Sequence, residues 1–149
     1  MISSYENEDK FLNAVDCIIF GFDNENLKIL LIKRDFEPKK GKWSLIGGFL
    51  KLNENLDGAA TRILHKLTGV KDIYMEQTYA YSKIDRDPEE RTISTSYYAL
   101  INIKDHDKDL IENYNAQWFS LSEVPKLIFD HDLMLQNAKQ TNIIFLKRL

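Results

Sequence analysis

Apolar residues crowd the chain from Ala14 to Phe22, and the density returns in Leu27-Lys28-Ile29-Leu30-Leu31-Ile32-Lys33-Arg34 after the polar Asp23-Asn24-Glu25-Asn26. Two such runs across a short turn-forming gap predict an antiparallel strand pair. The basic loop from Asp35 to Lys42 follows, and Trp43-Ser44-Leu45-Ile46 then runs into Gly47-Gly48. Paired glycines there predict a tight backbone bend or a close approach to a ligand. Leu56, Ala59, Ala60, Ile63, Leu64 and Leu67 recur at helical spacing, with Gly69 placed as a C-cap. Two β-rich stretches, Ile73 to Ile84 and Thr92 to Ile103, flank the charged segment Asp85-Arg86-Asp87-Pro88-Glu89-Glu90-Arg91 and predict a hairpin with a functional tip. A short strand is expected around Ala116-Gln117-Trp118-Phe119. Ser120 and Glu123 have capping-box spacing, which predicts a short helix through Val124 to Phe129. The spacing of Leu133, Leu135, Ala138, Ile143, Ile144 and Leu146 predicts a mostly helical tail from His131 to Leu149. There is no internal repeat and no linker, so residues 1–149 read as one α+β domain.

Composition narrows the class. With 44% apolar and 29% charged residues, 6 Gly and 3 Pro, the chain is neither disordered nor of low complexity. Its 20 basic and 23 acidic residues give a net charge of −3 with the bases scattered, which argues against DNA binding by this chain alone. The start is polar and acidic and no apolar run approaches a membrane span, so a cytoplasmic, non-membrane protein is expected. The single cysteine, Cys17, sits in an apolar run and reads as a core residue. Three histidines and one cysteine are too few for a zinc constellation. His65 and His106 fall on outward or charged positions, and His131 is expected to start the last helix and to meet its neighbours Asp130 and Asp132.

One segment carries chemistry. Gly48, five residues, Glu54, seven residues, Arg62, and then Gly69-Val70 reproduce without a gap the spacing G-x5-E-x7-R-E-U-x-E-E-x-G-U, where U is apolar. The segment resembles the box of the Nudix hydrolases. In that family the pattern forms a loop, a helix and a loop, and its glutamates hold the Mg²⁺ ions that bind a diphosphate and activate water. At three of the glutamate positions this chain has Ile63, Lys66 and Leu67. None offers the oxygen ligand that Mg²⁺ requires, and the ammonium of Lys66 would repel it. Glu54 and Arg62 are expected to survive as an ion pair closing the loop onto the helix, and Ile63 and Leu67 as core.

The resemblance extends over nearly the whole chain, through Leu30 to Arg34, Gly41 to Phe49, the Asp85-Arg86-Asp87-Pro88 loop with Arg91, and Trp118-Phe119 leading into Ile128-Phe129-Asp130-His131. It is similar to the ADP-ribose pyrophosphatase branch, and more closely to the sensor domain of Nudix-related transcriptional regulators. That resemblance implies a mixed or antiparallel sheet sandwiched by helices, a homodimer, and a small-molecule effector that is either ADP-ribose-like or a pentose such as L-arabinose. It also implies DNA contact through a C-terminal winged-helix domain that this chain does not include. No catalytic residue, no metal ligand and no cofactor are expected. A divergent Mg²⁺-dependent pyrophosphatase is the competing reading, and it needs substitute ligands such as Asp57 or Glu76.

For the effector, the candidate ligand-binding residues are Arg34, Gly47, Gly48, Glu54, Arg62, Glu76, Asp85, Arg86, Asp87 and Arg91. Arginine suits bidentate recognition of phosphate, and acid and arginine together suit sugar hydroxyls. Each has a plainer role to set beside this one: a salt-bridged hairpin tip for Arg86, Asp87 and Arg91, strand-end charge for Arg34, and a paired acid for Glu76. Trp43 and Trp118 read as core or cleft walls, and Tyr97-Tyr98 as a candidate dimer surface.

Overall fold

A computed structural model describes residues 4–24, 26–106, 110 and 114–141. The first predicted pair is present as β1 (Leu12–Asp23) and β2 (Asn26–Lys33), antiparallel with Phe20 opposite Ile29. Short strands β3 (Trp43–Ser44) and β4 (Ile46–Phe49) follow, then helix α1 (Leu56–Thr68), the hairpin β5 (Glu76–Tyr81) and β6 (Thr92–Asn102), β7 (Ala116–Ser120), and helix α2 (His131–Thr141). The strands form one mixed seven-stranded sheet in the order β3-β2-β1-β6-β5, with β4 added to β1 and β7 to β2. The pairing of β1 with β6 is parallel; all the other strand pairs are antiparallel.

Alternation along β1 and β2 explains why both are apolar throughout. Successive side chains point to opposite faces, and here each face is covered by a helix. Val15, Cys17 and Ile19 of β1 pack with Leu30 and Ile32 against Ala59, Ala60, Ile63 and Leu64 of α1. Ile18 and Phe20 pack with Ile29 and Leu31 against Met134, Leu135 and Ala138 of α2. Helix α1 ends as its sequence predicts, with Gly69 in the left-handed region at φ 79° and its N–H donated to His65 O. Cys17 is fully buried and burial raises its thiol pKa, so it is packing and not a nucleophile.

One edge of β1 is shared by two strands. Residues 14–17 pair with β4, whereas residues 20–23 pair with β2. The sheet therefore forks beside Ile18 and Ile19, and a cleft opens along the first half of β1.

Two predicted features differ. The helix through Val124 to Phe129 is absent: a single 3-10 turn covers Leu121–Glu123, and Ser120 makes no capping bond. Pro125 is the cause, since the residue before a proline is pushed out of the helical region, and Val124 sits at φ −68°, ψ 128°. The segment instead returns to the sheet, where Leu127 bridges Trp43. Tyr97 and Tyr98, expected at a dimer surface, are 1% and 6% exposed and belong to the two cores of the single chain. The predicted tail helix is present to Thr141, and Ile143, Ile144 and Leu146 lie outside the described residues. No described helix is long and apolar enough to cross a membrane.

Candidate functional site

The fork leaves a cleft of about 690 Å³ between β1, β4, α1, the 35–38 loop and the 86–92 segment. That is within the roughly 300–1,000 Å³ that encloses cofactor-sized ligands. Asp16 lies at its floor. Residues directly opposite in an antiparallel pair share a face, so Gly47, opposite Asp16, faces the carboxylate, and Gly48, opposite Val15, faces α1. A methyl group on Gly47 would collide with Asp16 Oδ1, and one on Gly48 would stand 2.9 Å from Ile63 Cγ1. The paired glycines are therefore extended strand residues kept small by Asp16 and Ile63. The predicted bend does not occur, and the close approach is to these side chains.

Asp16 is held on two sides. Ser94 Oγ donates to its Oδ2 at 2.5 Å, and His131 Nε2 lies 3.5 Å from its Oδ1. His131 Nδ1 accepts the Leu45 backbone N–H at 3.1 Å, which leaves the ring proton on Nε2, aimed at Asp16. His131 does start α2, but its acid is Asp16 from β1, not Asp130 or Asp132. Asp130 instead accepts two hydrogen bonds from Arg86, at 2.9 and 2.7 Å. Phe129 lines the cleft with Arg86 and His131, at φ 48°, where a bulky residue is strained. Its ring is 5.9 Å from the Arg34 guanidinium and 6.0 Å from the His131 ring. Three consecutive residues thus tie the start of α2 to the cleft.

Burial holds the His131 imidazole below its ordinary pKa, although Asp16 and Asp130 pull the other way and Arg86 and Arg34 add to the lowering. The unfolded chain takes up this proton near pH 6.5 and the folded chain does not, so the folded state loses stability as pH falls below that value. Unfolding midpoints in denaturant are expected to fall between pH 7 and pH 5 more steeply in the wild type than in His131→Gln. Equal slopes would remove His131 as the cause.

Of the predicted ligand residues, Arg34, Gly47, Gly48, Arg62, Arg86 and Asp87 line the cleft. Arg34 donates Nε–H to Pro38 O at 2.9 Å and stacks over Phe36 at 4.3 Å; burial lowers its pKa, and Asp16, Asp87 and Glu37 pull the other way. Arg86 is not a solvated tip residue but is buried against Asp130 and Met134. The other four lie away from the cleft. Glu54 is consumed by Arg62, which donates to both carboxylate oxygens at 2.9 and 2.6 Å and to Phe49 O at 2.7 Å. That bonding holds Glu54 below the usual carboxylate range, and the predicted loop-to-helix clamp is present. Glu76 is exposed on edge strand β5, opposite Tyr98, in a strand exposed over most of its length. Asp85 is exposed beside Lys83. Arg91 fastens the hairpin base by donating to Ser82 O at 2.8 Å, with its guanidinium 5.4 Å from the Phe11 ring. Trp43 packs edge-on against Phe119 and Trp118 closes over Gly21, so both are core and neither lines the cleft.

The residues present do not fit Mg²⁺. Ile63 is 2% exposed in the α1 core, Leu67 packs against that core, and Lys66 lines the cleft. The substitutes are also engaged or remote: Asp57 accepts from Tyr97 at 2.5 Å, and Glu76 is exposed on β5 outside the cleft lining. Among the described residues, no group of three or more His, Cys, Asp or Glu is placed to hold a metal ion. Asp16, Ser94 and Leu45 are not among the residues the sequence singles out, and His131 is expected there with other acids as partners; the one available signal is a lone acid inside an apolar strand, Ala14-Val15-Asp16-Cys17.

The profile of the NUDIX domain matches residues 10–138. Over 143 residues the chain is 36% identical to the ADPR responsive transcriptional repressor NtrR of Acinetobacter baylyi, covering 92% of this chain and 57% of the repressor. Over 124 residues it is 36% identical to the ADP-ribose pyrophosphatase of Methanocaldococcus jannaschii, covering 83% of this chain and 70% of that enzyme. The fold superimposes on the NUDIX domain of Shewanella oneidensis NrtR complexed with ADP ribose with a TM-score of 0.77 at 27% identity, over 94% of this chain and 99% of that one. The chain spans just over half the length of the repressor.

Proposed function

The chain belongs to the NUDIX domain family, and from that premise we propose that it is a catalytically inactive sensing domain of a transcriptional regulator, one that binds an ADP-ribose-like ligand without hydrolysing it. The observation that carries the reading is the fate of the box helix: Ile63 is built into the core and Lys66 into the cleft wall, where hydrolysis needs carboxylates. Relatives that respond to or cleave ADP-ribose support the ligand class. So does the cleft, whose volume admits a nucleotide-sized molecule. Its acids and arginines offer partners for ribose hydroxyls and phosphates. In this reading the domain works as a homodimer, and a winged-helix domain contacts DNA.

Thermal unfolding with ADP-ribose, NAD, L-arabinose and other pentoses, each with and without Mg²⁺, tests it. Ligand at about 100 times its Kd adds roughly 2.7 kcal/mol of stability, and ADP-ribose is expected to raise Tm equally in Mg²⁺ and in EDTA. A rise with L-arabinose alone would replace the ligand, and a rise that requires Mg²⁺ would favour a divergent pyrophosphatase.

A further inference from the structure

Five cations line the cleft: Arg34, Lys51, Arg62, Lys66 and Arg86. Glu54 holds Arg62 and Asp130 holds Arg86, whereas Arg34, Lys51 and Lys66 have no carboxylate within ion-pairing distance among the described residues, and Arg34 is tied to Pro38 O. Lys66 also stands where two spaces meet. It lines both the main cleft and a smaller neighbouring pocket of about 130 Å³, together with Asp35, Phe36 and Leu67. On α1 it lies one turn beyond Ile63 and Arg62, so all three share a helix face. No side chain on that face keeps a free carboxylate, because Ile63 and Leu67 are apolar and Glu54 is clamped by Arg62. Of the acids that line the cleft, Asp16 is bonded by Ser94, Asp35 accepts from Asn115 at 3.3 Å and Asp87 accepts from the Glu89 backbone N–H at 2.9 Å, while Glu37, Glu89 and Glu90 lie on the walls formed by the 35–38 loop and the 86–92 segment.

We propose that Lys66 is a phosphate-recognising residue of this cleft, its ammonium supplying directly to a ligand diphosphate the positive charge that a bound metal ion would otherwise supply. An ammonium is a compact point charge with three donors on a flexible stem, suited to an anion of tetrahedral phosphates that presents many acceptor oxygens. The site therefore discriminates by charge: diphosphate-bearing ligands bind without a divalent cation, and a cation at this position is repelled. This rests on the proposed ligand-sensing function for the identity of the ligand, but not for its diphosphate chemistry.

Titration calorimetry on the intact chain in EDTA, with inorganic diphosphate and with ADP-ribose as separate probes, tests it in wild type, Lys66→Met and Lys66→Arg. Lys66 is exposed, so both variants fold. A charge-assisted hydrogen bond predicts a loss of about 10- to 100-fold for both probes in Lys66→Met, most of it recovered in Lys66→Arg. If Lys66→Met binds ADP-ribose as the wild type does, the role of Lys66 is overturned while ligand sensing stands. If diphosphate binds through Lys66 but ADP-ribose does not bind, the role of Lys66 stands and the ligand assignment falls. Binding of either probe only in the presence of Mg²⁺ overturns both.

Discussion

Replacing Asp130 by alanine is expected to cost about 3 kcal/mol of folding stability and to lower Tm by about 6–12 °C. The Arg86 side chain is 3% exposed and gives Asp130 two hydrogen bonds, at 2.9 and 2.7 Å. Removing the carboxylate leaves a guanidinium buried without its counter-charge, which costs more than the net contribution of the intact pair. Removing both partners should restore much of the loss, because an apolar pair leaves nothing unsatisfied. Denaturant unfolding of Asp130→Ala and of Asp130→Ala/Arg86→Met checks this: the double variant is expected to be the more stable of the two. If Asp130→Ala loses less than about 1 kcal/mol, the pair is an ordinary surface contact and the start of α2 is not anchored through it.

The second large effect is at Ile63. Ile63→Ala is expected to destabilise the fold by about 2–5 kcal/mol, since it removes a side chain that is 2% exposed, packs in the α1 core and touches Gly48. A metal-site residue would behave differently, because its replacement would spare folding and abolish a metal-dependent activity. Unfolding in urea with and without Mg²⁺ separates the two. The expected result is a large loss, equal in both conditions. A change under 0.5 kcal/mol would mean that this position has not been taken into the core.

What could be read from the chain beforehand divides along physical lines. The box spacing, α1 with its Gly69 cap, the β1/β2 pair and the β5/β6 hairpin depend on local period and turn chemistry, and these are written in neighbouring residues. The Glu54–Arg62 clamp was legible for the same reason, since loop and helix are eight residues apart. Pro125 overrides the capping-box signal at Ser120 and Glu123, a local conflict within the sequence itself. The floor of the cleft was not legible. Asp16 meets Ser94 and His131, and His131 meets Leu45, across separations of 78 and 86 residues for the hydrogen bonds, and no short-range pattern encodes such partners. Glu76 and Arg91 fall outside the cleft because charge at a hairpin marks a surface without saying which side of the sheet it serves. Only the parallel pairing of β1 with β6 and the fork of β1 between β2 and β4 decide which of those charges reach the cleft.

Incubating the protein with ADP-ribose and Mg²⁺, and following AMP and ribose 5-phosphate by chromatography beside a calorimetric titration in EDTA, tests the central claim most directly. The account predicts saturable binding in EDTA and recovery of intact ADP-ribose after incubation with Mg²⁺. Formation of AMP above the protein-free rate, abolished by EDTA, would contradict it and make this domain a hydrolase that has rebuilt its metal site from other residues.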